Sequence, residues 1–345
     1  MNRYNLKLVI DKYKLQVLKQ ISIIFQHILI SFLVFRVFVG EDSLSLKGGP
    51  ADFGKMVDGT ANRPFVLRTL IPSTIRSIRD LLPESLKNHI RSFFEKRNWF
   101  VDYLRSDRVV EYSIALVLCF IFFLGFSFVL RRLAKHFYRD EPLVQHIAAL
   151  IGMLILPLFF AYGHYVYDPG TLFLFSFGVL LVVEERLIPM LAFFPILVLH
   201  KETSVLLILV FIVYQFRRMP ITKIAAFSSV MGAIWLVLRM FIARTFAANP
   251  GSIVEFHLFD HNLRLFANPV AAIFFLVVIT LLGIFISYNW KSKQEFLRRG
   301  FFAVFGPLFL LSIFFGYVDE LRQFYEVVPF VALLMAPSIS KLAFP

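Results

Sequence analysis

Ten mainly apolar stretches divide this chain, and stretches of that length and purity leave few folds open. A helix needs about 20 apolar residues to cross the ~30 Å hydrocarbon core of a bilayer. Inside lipid, every backbone N–H and C=O must find its partner within the segment, which a helix achieves. The stretches lie at 20–39, 112–130, 146–163, 172–183, 187–199, 204–216, 221–243, 269–288, 301–317 and 328–340. Several fall short of a full crossing; tilt or flanking polar residues extend such segments. The composition agrees: 58% of the 345 residues are hydrophobic, only 17% are charged, and 43 are Phe, more than a soluble core of this size can hide. The pattern predicts an all-α fold, a polytopic membrane helix bundle of about ten spans. It forms a single transmembrane domain over 1–345: an N-terminal segment 1–19, a long loop 40–111, and the remaining spans in 112–345.

The charge pattern sets the expected direction. The formal net charge of +13 would suggest nucleic acid in a soluble protein. Here the basic residues cluster between apolar stretches, which points to anionic membrane lipids and away from nucleic acid. With the N-terminus inside, the inner segments hold Lys7, Lys12, Lys14 and Lys19, then Arg131, Arg132, Lys135 and Arg139, then Arg186, then Arg217, Arg218 and Lys223, then Lys291, Lys293, Arg298 and Arg299. The short outer segments hold only Lys201, Arg244, Arg264 and Arg322. That bias predicts a cytoplasmic N-terminus, with 20–39 as a signal anchor rather than a cleaved leader. The single Cys, Cys119, excludes a disulfide framework. Short loops and the absence of an N-x-S/T sequon favour a bacterial inner membrane.

In this orientation the polar outliers fall on one side. The outer loop 40–111 carries Ile75, Ile78, Leu82, Leu86, Ile90, Phe93 and Phe94 at three- and four-residue steps, with Arg76, Arg79, Lys87 and Arg91 between them. That periodicity predicts an amphipathic helix, divided at Pro83, that lies in the membrane interface or caps the bundle. Upstream, Arg63 and Arg68 flank a Pro-Phe turn and make a candidate anion-binding element, since a guanidinium fork matches phosphate. Glu41 and Asp42 follow the first span directly, and Asp52 and Asp58 come soon after. A carboxylate there can serve as a general base toward an acceptor hydroxyl, or Glu41 or Asp42 can simply pair with Arg36.

Three further outer segments carry charge. HYVYDPGT contains His164, Tyr165, Tyr167 and Asp168, and its Asp-Pro-Gly reads as a turn that Asp168 either stabilises or uses to bind ligand. HKET places His200, Lys201, Glu202 and Thr203 between two apolar stretches with no spacer. Charges at a membrane boundary need partners or water, so these residues bind phosphate or form an internal ion pair. Lys201 and Glu202 point about 100° apart on a helix and so serve different partners. VDELRQFYE offers Arg322, with Asp319 and Glu326 at helix-neighbour spacing. Asp260 and His261 are too few ligands to define a metal site. Arg239, inside a span, is expected to snorkel outward. The chain contains no Walker A, G-x-G-x-x-G or G-x-S-x-G sequence.

In layout, the chain resembles the GT-C glycosyltransferases: N-terminus inside, acids and interfacial helices in a long first outer loop, and short outer loops with scattered basic residues. The resemblance implies an integral membrane enzyme that moves a sugar from a polyprenyl-phosphate carrier to an acceptor on the extracytoplasmic face. It assigns the acidic base to Asp42 or Glu41, and next to Asp52. Arg63, Arg68, Asp168, His200, Lys201, Glu202 and Arg322 become the residues that hold carrier phosphate and sugar. The reaction needs no nucleotide, and the resemblance leaves open whether a divalent metal (Mg or Mn) eases departure of the phosphate. Unlike several branches of that superfamily, the chain carries no large soluble C-terminal domain. Two other activities remain open: a lipid or polysaccharide transporter or flippase, with essential charges at mid-span, and an outer-face polysaccharide polymerase or ligase. A non-catalytic membrane subunit would need no site at all.

Overall fold

The computed structural model describes residues 3–40, 49–96, 107–160 and 163–343, with side chains from residue 16 onward. Among the described residues every regular element is helical, as the apolar pattern predicts. The first helix, α1, covers Arg3–Gly40, and three short helices fill the following loop: α2 (Phe53–Asp58), α3 (Leu70–Leu81) and α4 (Glu84–Glu95). The bundle continues with α5 (Val109–Phe137), α6 (Pro142–Leu154), α7 (Leu156–Phe160), α8 (Asp168–Val183), α9 (Leu187–His200) and α10 (Leu206–Gln215). It closes with α11 (Ile221–Thr245), α12 (Pro269–Ser287), α13 (Glu295–Phe315) and α14 (Val328–Ala343).

Six of these segments are long and apolar enough to cross a membrane: Gln16–Gly40, Val109–Phe137, Pro142–Phe160, Ile221–Thr245, Pro269–Ser287 and Glu295–Phe315. The other apolar stretches form α8, α9, α10 and α14, which are shorter. Burial explains how some short helices persist. In α8, 14 of 16 residues are buried, and in α14 every residue from Val328 to Ala336 is buried. A helix apolar on all sides lies either inside a bundle or against lipid. These two lie inside, whereas α11 and α12 bury only three and two residues and turn most of their surface outward. Helix α5 is the central post: Cys119, Phe123, Phe126 and Leu130 are fully buried, and α1, α6, α8, α3 and α4 pack against it.

The amphipathic stretch of the first loop is divided where its proline predicts, with Leu82 ending α3 and Pro83 preceding α4. The two halves have different roles. Helix α3 buries Ile71 and Ile75 and packs on α5 and α9, so it caps the bundle, whereas α4 has no buried residue.

Connecting segments gather at two ends. At one, Arg132 reaches Glu184 at 2.5 Å and Arg218 reaches Glu185 at 3.4 Å, which ties the last turns of α5 to the turns after α8 and α10. This basic end also holds Lys293, a residue only 5% exposed. Its three ammonium N–H groups face four acceptors, the carbonyls of Phe285 (3.1 Å), Ile286 (2.6 Å) and Leu334 (2.6 Å) and Ser338 Oγ (2.9 Å). The last carbonyls of a helix lack intrahelical donors, so one side chain satisfies the end of α12 and fastens it to α14. Lys293→Met should lower stability by about 2–3 kcal/mol in detergent, because charged hydrogen bonds are lost and carbonyls stay buried. Lys291→Met, at an exposed position, should leave it unchanged. Equal thermal unfolding curves for the two variants would refute the role of Lys293.

Candidate functional site

At the opposite end, segments far apart in sequence share one buried network of charges. It forms because the short helices stop inside the bundle. Helices α8 and α9, with 16 and 14 residues, span only about 24 and 21 Å at 1.5 Å per residue. The loop before α8 therefore meets α5 well below its end. Cys119 Sγ contacts the Val166 carbonyl at 3.6 Å, and Cys119 lies ten residues into α5 from Val109, about 15 Å along its axis. Helix α3 covers this recess, and Thr69 Oγ1 donates to the Leu199 carbonyl at 3.1 Å.

Three linked groups make up the network. In the first, Arg68 donates from Nη1 to the Tyr167 hydroxyl and from Nη2 to Glu202 Oε1 at 3.1 Å. Its guanidinium carbon stands 4.7 Å from the Tyr167 ring centre. Arg239 approaches the other oxygen of Glu202 at 3.8 Å and donates to the Leu67 carbonyl at 3.1 Å. Trp235, one turn before Arg239, donates its ring N–H to the Glu202 carbonyl at 2.9 Å. Burial opposes the charge on Arg68, but Tyr167, Glu202 and Asp168 outweigh it and hold the guanidinium above its ordinary range.

The second group pairs Lys201 Nζ with Glu326 Oε1 at 2.9 Å, and Thr203 donates to the same carboxylate. These side chains are 9% and 1% exposed, so the pair is sealed from water. Beside it, Thr171 Oγ1 and His200 Nε2 lie 2.9 Å apart. A Cβ built on Gly170 would stand 2.8 Å from the His200 ring, so the close approach of α8 and α9 requires glycine there.

In the third group Arg322 binds Glu320 through Nε at 2.7 Å and Nη2 at 2.6 Å, and stands 4.0 Å from Asp168. Its guanidinium lies 4.2 Å above the Tyr165 ring, and Tyr165 stacks on Tyr167 at 5.4 Å, which joins this group to the first. Asp168 accepts the Tyr165 backbone N–H at 2.8 Å. Burial lowers the basicity of Arg322, yet Glu320, Asp168 and the two tyrosines more than compensate, and it stays charged. Nearby, His164 Nε2 donates to the Phe38 carbonyl at 2.5 Å, and burial holds its imidazole down to about 4.

The structure therefore unites Arg68, Asp168, His200, Lys201, Glu202 and Arg322. Lys201 and Glu202 do serve different partners, and Lys201 forms the internal ion pair that was one of its two expected roles. The acids around Arg322 are distributed differently from the expected helix spacing. Arg322 takes Glu320, Glu326 turns to Lys201, and Asp319 pairs with His261 at 2.8 Å, because Leu321–Phe324 forms a 3-10 turn instead of an α-helix. Arg239 does not snorkel outward: its side chain is 13% exposed and turned to Glu202 and Leu67. The four-residue spacing of Trp235 and Arg239, which puts both on one helix face, was the available signal.

The other candidates stand apart. Asp52 caps the N-terminus of α2, accepting the Lys55 N–H at 2.9 Å. Arg63 donates its backbone N–H to the Pro250 carbonyl at 2.8 Å, and none of the three groups includes it. Glu41 and Asp42 lie outside the described residues. Among the described residues no group of three or more His, Cys, Asp and Glu side chains is placed to hold a metal ion.

Four cations (Arg68, Lys201, Arg239 and Arg322) face four carboxylates (Asp168, Glu202, Glu320 and Glu326). Buried charges persist when paired in this way. An incoming anion would have to exchange with a carboxylate partner; Glu202, with its side chain 35% exposed, is the most accessible of the four. No family model matches the chain, and comparisons with curated proteins and with solved structures also return no match.

Proposed function

We propose that the chain is a multi-pass membrane glycosyltransferase of the GT-C kind that takes a sugar from a polyprenyl-phosphate carrier on the extracytoplasmic face. One observation supports this above the others: four polar segments, 65–68, 164–168, 200–203 and 320–326, converge in a recess beneath α3 at the end opposite the basic loops. A carrier with its tail in the bilayer would present its phosphate at about that depth. Arg68 and Lys201, and behind them Arg322 and Arg239, are the cations that would receive it as carboxylate partners are displaced. Asp42, with Glu41 and Asp52 as the alternatives, takes the proton from the acceptor hydroxyl. The acceptor oxygen then bonds to the anomeric carbon, the bond from that carbon to the phosphate oxygen breaks, and the polyprenyl phosphate leaves with the electron pair. The bacterial inner membrane, with the N-terminus in the cytoplasm, is the proposed setting.

The test uses purified full-length protein with a radiolabelled polyprenyl-phosphate sugar. Asp42→Asn is expected to abolish transfer with no change in thermal unfolding. Full activity in both Asp42→Asn and Asp52→Asn would refute the proposed base. Mass spectrometry of co-purifying lipids should find a polyprenyl phosphate.

A transporter is the second candidate, favoured by the break between α9 and α10. There Lys201 is extended and Glu202–Val205 forms a 3-10 turn, like the discontinuous helices that form transport sites. Flux of intact carrier into liposomes without turnover would select it.

A further inference from the structure

At the basic end, the last turns of α5 and α10 and the first turn of α13 enclose a cavity of about 450 Å³. Its walls include His136, Tyr214, Arg217, Arg218, Phe296 and Arg299. Cations outnumber acids there. Arg299 is held by Glu295 at 2.5 Å, and Arg218 leans toward Glu185 at 3.4 Å. Arg217 has no ion-pair partner among the described residues, and its guanidinium stands 5.6 Å from the Phe216 ring. Tyr214 orients Arg218: the Arg218 Nη1 donates to its hydroxyl at 3.1 Å, and the guanidinium lies 4.1 Å above its ring. A second cavity of about 290 Å³ shares Glu295 and Arg299 with the first and adds Trp290, Arg298 and Phe302. In it, the Arg298 Nε is buried without a hydrogen-bond partner.

We infer that these adjacent cavities bind the phosphodiester headgroup of an anionic phospholipid, independently of the site at the other end. Three features favour a lipid. Guanidinium forks match phosphate oxygens. Phe137 and Phe296, stacked at 5.6 Å, form an apolar wall beside them. Phe216 and Phe302, 48% and 58% exposed, offer apolar surface to acyl chains at the mouth. Basic pockets between membrane helices recognise lipid headgroups through this combination.

The experiment places the full chain in phosphatidylcholine nanodiscs, titrates phosphatidylglycerol, and counts retained lipid by native mass spectrometry. Arg217→Gln with Arg299→Gln should weaken retention roughly 30-fold, since each cation near the surface contributes about fivefold. Arg139→Gln with Lys341→Gln, exposed residues at the same end, should leave it unchanged. Equal retention in both pairs, or equal loss, overturns the proposal. If the first pair fails to fold, Arg217→Gln alone carries the test, with about a fivefold loss expected because its exposed side chain has no acid partner to strand. Inorganic phosphate separates the sources. Failure to displace the lipid at millimolar levels supports a headgroup site. Binding of phosphate that the same substitutions abolish supports an anion site filled from solution.

Discussion

Lys201→Met should lower the stability of the folded chain by about 3–5 kcal/mol, the loss typical of removing one partner from a buried ion pair. The size follows from what remains. Glu326 is 1% exposed, and without the ammonium only the Thr203 hydroxyl stays within reach of its carboxylate. A carboxylate left so dry must be protonated or draw in water, and both disturb the packing of α9 against the segment before α14. The double variant Lys201→Met with Glu326→Gln should recover most of the loss, because a neutral amide carries no stranded charge. Denaturant unfolding of the four proteins gives the coupling between the two side chains. A single variant as stable as the parent would mean that water reaches Glu326 and that the recess is open at this point.

Glu202→Gln should also be strongly damaging, because one carboxylate serves two guanidiniums. Arg68 stands 3.1 Å and Arg239 3.8 Å from its oxygens, and each arginine side chain is 13% exposed. Removing the charge leaves two cations facing each other, with the Tyr167 hydroxyl and the Leu67 carbonyl as their remaining partners. The expected loss is about 2–3 kcal/mol, less than for Lys201 because Glu202 is partly exposed and water screens it. Arg239→Leu in the Glu202→Gln background should restore stability, since it removes one of the two repelling charges and α11 is otherwise apolar there. Additive losses in that pair would show that Arg239 acts through Leu67 alone. Sugar transfer, measured on the same preparations, separates the fold from the chemistry: a stable Arg68 or Lys201 variant without transfer places that cation in phosphate binding.

The helices were legible because lipid-facing and core-facing segments must be apolar over a fixed length, and a break in that pattern is visible in a single sequence. The division of the amphipathic loop at Pro83 was legible for a related reason, since proline cannot donate to the helix before it. The candidate residues of HYVYDPGT, HKET and VDELRQFYE were legible as charges placed where charge is costly. Their pairing was not. Spacing suggested Arg322 with Glu326, yet Glu326 meets Lys201, 125 positions away, and Arg322 meets Glu320. Arg239 looked like a solitary charge near a helix end because its partner lies on another helix.

The amino-acid order alone determined that the chain is a helical membrane bundle, which segments are apolar, and which loops carry unusual charge, because each of these depends on the solvent that a stretch of about 20 residues must satisfy. The tertiary structure decided that α8 and α14 are interior, that α3 closes over the recess, and which acid neutralises which base. Charge pairing in a dry interior depends on distances of 3–4 Å between side chains that only packing brings together, and at that range the nearest partner is set by helix depth rather than by position along the chain.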